Sequence, residues 1–236
     1  MLNLYSAIKK SIYIFFGIFC INIIVCCTAQ AHNYKQILRH VENTPREREN
    51  KVRSLVKYLT QPFDDDYSKA MAIAFWIAGH INYDSYLYNN NKRTKLGNKY
   101  KGQTADELLK SRVGICSDFA ELFQVMCDEA GIKSHKVSGW VYPNNTNIRS
   151  SQKSNYGHAW NFFVYRRQKI YVDTTFMAEG SIQPRGRIND LRHRRALKKV
   201  RKLNKRKSRI TNFDIFYFDF KYNDEERKKG YIREEK

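Results

Sequence analysis

Apolar residues recur at three- and four-residue intervals through Leu38, Val41, Val52, Leu55, Val56 and Leu59, with Pro45 between the two groups. That period predicts two helices, or one broken helix, over 34–60. After Pro62, Asp64, Asp65 and Asp66 stand ahead of the run YSKAMAIAFWIAGHI. Carboxylates placed there accept from the free N–H groups of a helix's first turn and suit its positive dipole end. A calcium loop is the competing reading, but later oxygen ligands at loop spacing are missing. Residues 82–103, rich in Asn, Lys and Tyr and holding Gly97 and Gly102, read as a loop. Thr104 and Glu107 have the capping-box spacing, which predicts a short helix over 104–111, broken by Gly114. Next, Phe119, Leu122, Phe123, Met126, Cys127 and Ala130 form a helical stripe. The helix it predicts runs from Ser117 to Ala130 and is closed by Gly131.

From here the period changes to that of strands. KVSGWVY (136–142), HAWNFFVY (158–165) and KIYVDTTF (169–176) are short and rich in aromatic and β-branched residues. Only Arg166, Arg167 and Gln168 separate the last two, so an antiparallel hairpin is the expected connection. The run FDIFYFDF (213–220) supplies one more candidate strand. Helices first and strands afterwards define an α+β protein.

The N-terminus has a different pattern. Lys9 and Lys10 precede an apolar run from Ser11 to Cys27 that ends in Thr28-Ala29-Gln30-Ala31. This reads as an export signal, residues 1–31, cut after Ala31, which places the protein outside the cytoplasm. The alternative is an uncleaved membrane anchor over residues 11–27, a length at the short edge of what spans a bilayer. Lipidation at Cys26 or Cys27 would put Val25 or Cys26 where a small residue is wanted. Residues 32–236 are then read as a single domain with its core at about 68–176. Four prolines and no repeat or low-complexity tract suit a globular chain.

Charge adds a second feature. The net charge is +20, and residues 185–209 hold thirteen Lys or Arg against one acid, Asp190. Two readings stand for this segment. One is a solvated charged face; the other is a surface for anionic lipid, a cell-envelope polymer or an acidic substrate. Nucleic acid is the less expected partner, because no reader motif accompanies the charge. Asn144-Asn145-Thr146 fits a glycosylation acceptor. Nothing in the sequence speaks to oligomeric state.

Only Cys116 and Cys127 remain past the leader. Eleven residues along one helix separate them by about 16 Å, too far for a disulfide. No zinc-type spacing of Cys and His is present, so no metal or other cofactor is expected. Cys127 falls on the apolar stripe. Cys116 falls in the helix's first turn, where free N–H groups and the dipole favour an anion. A thiolate nucleophile there also needs a proton acceptor and a group to orient that acceptor.

The hairpin offers both in His158 and Asp173. If 165 and 166 are the central turn residues, the two are directly opposed. If the turn shifts by one residue, they are diagonal neighbours on one face, roughly 5 to 8 Å apart. A register centred on Arg166 alone would send them to opposite faces. In the favourable registers a carboxylate holds one imidazole nitrogen while the other faces the sulfur. The competing reading makes His158 a hydrogen-bonded core residue and Asp173 a turn acid.

The segments GICSDFAELFQVMCDEAGI, SGW, HAWNFFV and YVDTTF, in this order and spacing, resemble the core of the transglutaminase-like superfamily. The upstream AIAFWIAGHINYD and QTADELLKSRVGIC look like the branch that includes the kyphoscoliosis peptidase type and bacterial relatives. The resemblance implies a papain-like fold with the cysteine helix packed on an antiparallel sheet. It also implies a Cys116 nucleophile, a His158 base and an Asp173 orienting carboxylate. The backbone N–H of Cys116 is the implied oxyanion donor, and the side chain of Gln103 is a candidate for a second, its position left unfixed by the gap to Cys116. Trp160 is expected to pack beside the site, and Tyr83 and Asp84 to serve the structure. The chemistry so implied is acyl transfer through a thioester on a protein or peptide substrate. Hydrolysis would make the protein a calcium-independent peptidase or amidase, and transfer to an amine a cross-linking transglutaminase. A peptide- or glycan-binding module on the same fold is the non-enzymatic alternative.

Overall fold

The computed structural model describes residues 34–85, 87, 102–141, 156–178, 198, 218–220 and 231–233. The leader-like stretch, the candidate glycosylation site, residues 213–217 and the basic segment apart from Lys198 lie outside them. The chain divides into two compact units, 1–40 and 41–236. The described residues of the first, 34–40, are helical and open helix α1 (34–42).

In the second unit a 3-10 turn, Arg46–Asn50, follows Pro45 and leads into α2 (Val52–Thr60), which buries Leu55, Val56 and Leu59. The proline therefore separates two helices. Helix α3 (Asp66–His80) starts at Asp65, whose side chain accepts from the Ser68 N–H at 2.9 Å. Such a cap contributes about 1 kcal/mol. Buried residues occupy almost every position from Ala70 to His80, so α3 is a central helix covered on all sides.

Two departures from the sequence pattern come after α3. Asn82–Tyr83, expected in a loop, is a short strand β1 that pairs in parallel with β2 (Val113–Gly114). Helix α4 (Ala105–Ser111) has the expected Thr104–Glu107 capping box, but Gly114 does not end it. Arg112 does, with φ 59° and its N–H bonded to the Leu108 carbonyl. Its guanidinium is held at 2.9 Å from Glu49 and lies 4.6 Å from the centre of the Trp76 ring. These contacts anchor a left-handed residue other than glycine.

Helix α5 (Cys116–Glu129) buries Phe119, Leu122, Phe123, Met126 and Cys127, and Gly131 at φ 77° follows its end. Its stripe rests on β3 (Ser134–Val141) and β4 (Tyr156–Tyr165), with α2, α3 and α4 packed around its other sides. The hairpin continues through β5 (Gln168–Val172). There the strand stops short of the expected 176, because Asp173 caps a one-turn helix α6 (Thr174–Met177). Strands β6 (Phe218–Phe220) and β7 (Tyr231–Arg233) complete an antiparallel sheet of order β6-β5-β4-β3-β7. Phe218 docks β6 by edge contacts with Tyr67 and Phe75, and its ring is tilted against Phe163.

Candidate active site

The segment before Cys116 is fixed from three directions. The Asn82 N–H donates to the Arg112 carbonyl at 2.9 Å, and the Asp84 N–H to the Gly114 carbonyl at 2.8 Å. Asp118, two residues past the cysteine and 1% exposed, accepts from the Ile115 N–H at 2.8 Å and from the Gln103 N–H at 3.0 Å. One buried carboxylate thus ties the start of α5 to the loop ahead of α4. It approaches so closely that a Cβ on Gly114 would lie 2.9 Å from Asp118 Cβ and Oδ2 and from Leu108 Cδ1. The glycine is needed for closeness, and that is its role in place of breaking a helix. The sequence signal for Asp118 was an acid at the third position of a helix, the usual place of a capping carboxylate.

Cys116 is then the first residue of α5 and 5% exposed. Among the described residues no acceptor meets its backbone N–H, as expected for a first helical turn. Both cysteines are free thiols. Burial pushes the Cys127 thiol well up, with the Asp128 and Asp66 carboxylates adding to the shift.

The hairpin pairs Tyr165 with Gln168 and Asn161 with Val172. Arg166 and Arg167 are therefore the central turn residues, both with positive φ, 49° and 66°. This is the diagonal register for His158 and Asp173. Asp173 divides its oxygens between two tasks. Oδ1 accepts from the Thr175 and Phe176 N–H groups at 3.1 and 3.0 Å, and Oδ2 lies 2.6 Å from His158 Nε2. Capping α6 therefore aims the carboxylate at the imidazole. With Nε2 taken by Asp173, Nδ1 is the nitrogen left for Cys116, which lies near enough to help hold the ring's proton.

Burial opposes charge on His158, yet Asp173, through its charge and hydrogen bond, and the contact with Cys116 outweigh it. The imidazole pKa is pushed up to about 10. The His158 side chain is 7% exposed and Asp173 fully buried, so the pair is screened little by solvent.

Two aromatic rings lie nearly parallel to the imidazole. Trp160, 1% exposed, is 5.8 Å away, and Phe176 is 4.5 Å away. Sequence reasoning treated Phe176 only as a strand residue. Its position three residues past Asp173, on a capped turn, was the signal available. Gln103 has part of its amide engaged away from Cys116. One N–H of its amide donates to the Val113 carbonyl at 2.8 Å, and its Oε1 accepts from Ser111 at 2.7 Å. Those bonds brace the turn between α4 and β2. Tyr83 is tilted against Phe119, and the Asp84 carboxylate accepts from the Leu87 N–H at 2.9 Å.

A groove of about 1030 Å³ opens beside this region, lined in part by Gln103, Thr104, Ser117, Glu121 and Lys136. Neither Cys116 nor His158 lines it. Cys116, His158 and Asp173 come together elsewhere.

An α+β core with a cysteine-headed helix laid against an antiparallel sheet is the papain-like architecture. Within that class the chain belongs to the transglutaminase-like superfamily, whose family model matches residues 53–174. It is 26% identical over 125 residues to mouse kyphoscoliosis peptidase, covering 53% of this chain and 18% of that protein. The human kyphoscoliosis peptidase is 27% identical over 122 residues, covering 52% and 17%. The match thus spans less than a fifth of those relatives' length. Among solved structures, a provisionally assigned cysteine protease of Cytophaga hutchinsonii aligns at TM-score 0.41 and 22% identity, covering 57% of this chain and 40% of that one. A TGase crystal structure aligns at TM-score 0.41 and 18% identity, covering 64% and 38%.

Proposed function

We propose that the protein is a cysteine-dependent acyl-transfer enzyme that cleaves peptide or side-chain amides through a thioester on Cys116. The observation that carries this reading is the 2.6 Å contact of Asp173 Oδ2 with an imidazole whose proton Cys116 also helps to hold. His158 holds the proton it exchanges with the Cys116 thiol. The sulfur attacks the amide carbonyl carbon, and the carbonyl oxygen takes up negative charge against the backbone N–H of Cys116. His158 gives its proton to the departing nitrogen as the C–N bond breaks, leaving a thioester and a free amine. Water then attacks the thioester carbonyl and passes a proton to His158, and C–S cleavage releases the acid. Asp173 holds the ring so that Nδ1 faces the sulfur throughout. Gln103 is not favoured as a second oxyanion donor, because one amide N–H is already committed to Val113.

Water and an amine compete for the same thioester, and the triad serves both. The test is incubation of the protein with glutamine-containing peptides and a primary amine, read by mass spectrometry. Cleaved or deamidated peptides are expected, and both should vanish in Cys116→Ala. Amine-conjugated products would replace the hydrolytic reading with cross-linking. Turnover that survives Cys116→Ala would refute both, and tight peptide retention without any turnover would make the protein a binding module.

The leader-like residues 1–31 support action outside the cytoplasm, and the charge of residues 185–209 supports docking on an anionic lipid or envelope polymer. Such docking weakens as salt rises. Retention on anionic vesicles undiminished by high salt would argue against it.

A further inference from the structure

Resting on the acyl-transfer reading, one residue beside the triad points to a substrate class. Among the described residues two large hydrophobic side chains are exposed, Val164 and Phe176. Val164 is one residue from the end of β4, beside the Arg166–Arg167 turn, remote from the chemistry. Phe176 is 36% exposed, and its ring is stacked on His158 at 4.5 Å with 21° between the planes.

The backbone that carries the ring is tethered to the site. The Phe176 N–H donates to Asp173 Oδ1 at 3.0 Å, the carboxylate whose other oxygen holds the imidazole. Shielding the imidazole–carboxylate pair from water requires only the covered part of the ring. Trp160, buried and nearly parallel to the same imidazole, already contributes apolar cover there. The exposed part of Phe176 is apolar surface one side chain away from the reacting sulfur, and an apolar group seated on it is removed from water.

We infer that Phe176 is a specificity-determining residue, its exposed edge forming one wall of an apolar subsite that selects peptides with a hydrophobic side chain on the residue whose carbonyl is attacked. A neutral polar side chain of similar size would lose its water there and find no hydrogen-bond partner on the ring.

Two peptidyl chloromethyl ketones, identical except for Leu or Asn next to the ketone, test this on the full-length protein. In both, the Cys116 sulfur displaces chloride from the methylene carbon and a thioether forms. Iodoacetamide, which has no side chain, measures the thiol alone, and each ketone rate is divided by the iodoacetamide rate of the same variant. The wild type is expected to react about tenfold faster with the Leu ketone than with the Asn ketone. In Phe176→Ala that preference should shrink towards one, and Phe176→Leu should recover most of it. Using ratios within each variant removes any general effect on folding or thiol reactivity. Equal rates for the two ketones in the wild type, or a preference unchanged in Phe176→Ala, would overturn the inference while leaving the nucleophile intact. Failure of iodoacetamide to alkylate Cys116 in the folded wild type would overturn the acyl-transfer reading and this inference with it.

Discussion

Replacing Asp173 by Asn separates shape from charge at the site. The side chain keeps its size, and its carbonyl oxygen can still accept from the Thr175 and Phe176 N–H groups, so the cap of α6 is preserved. What changes is the group facing His158 Nε2, from a carboxylate at 2.6 Å to an amide NH₂. An NH₂ donor requires Nε2 to accept, which moves the ring proton to Nδ1, the nitrogen that should face the sulfur. The imidazole pKa of about 10, against an ordinary 6.5, corresponds to about 5 kcal/mol in favour of the charged ring. With the carboxylate gone, burial works the other way against the pull of Cys116 alone, so the midpoint should fall well below 10. Histidine NMR titration reads this directly, and turnover should fall by roughly four orders of magnitude, as wrong-tautomer substitutions do elsewhere. Because the folded pKa is raised, the stabilisation is fully present below pH 6.5 and is lost as pH rises through about 10. Unfolding curves of wild type and Asp173→Asn should therefore lie far apart at pH 6 and converge near pH 10. A wild-type His158 that titrates near 6.5, or a midpoint that stays put in the variant, would refute the reasoning.

Two further outcomes concern the supports of the site. Gly114→Ala places a methyl 2.9 Å from Asp118 and Leu108 and should cost about 1 to 3 kcal/mol, read as a lower melting temperature; an unchanged midpoint would show that the Asp118 lock yields freely. His80 is held down to about 3 by burial and the Arg112 charge, against the pull of its hydrogen bond to the Trp76 carbonyl, so stability present above pH 6.5 should drain away as pH falls towards 3. Between pH 7 and 4.5 the wild type should lose about 3 kcal/mol more than His80→Gln in denaturant titrations, and equal losses would remove His80 from the account.

The parts of the fold legible in the sequence were those set by local repetition. The stripe from Phe119 to Cys127 named both the helix and its buried face, and Thr104 with Glu107 named a helix start. The strands were legible as segments. Their register was not, since three alignments of the hairpin suited the sequence and the structure realises the diagonal one. Elements set by tertiary contact were misread. Arg112 ends α4 because Glu49, sixty-three residues away, holds its guanidinium. Asn82–Tyr83 is a strand only because Val113–Gly114 lies beside it, and two residues carry no period. Strand β5 stops at Val172 because Asp173 caps the next turn, a choice that a β-rich run such as YVDTTF conceals. At the site, the three chemical types and their order were readable. The dual use of the Asp173 oxygens, the Asp118 tie and the stacking of Phe176 depend on directions in space that spacing does not encode.

The hairpin tip has a consequence well beyond its own two residues. Arg166 and Arg167 both occupy a backbone region that suits glycine better, at roughly 1 to 2 kcal/mol each. Side chains along a strand alternate, so odd and even matter more than distance. Losing or gaining a single residue at this bend would reverse the parity between the two arms and swing the imidazole and the carboxylate to opposite sides of the ribbon. An exposed corner remote from the sulfur therefore works as the counting device that keeps the two side chains in step.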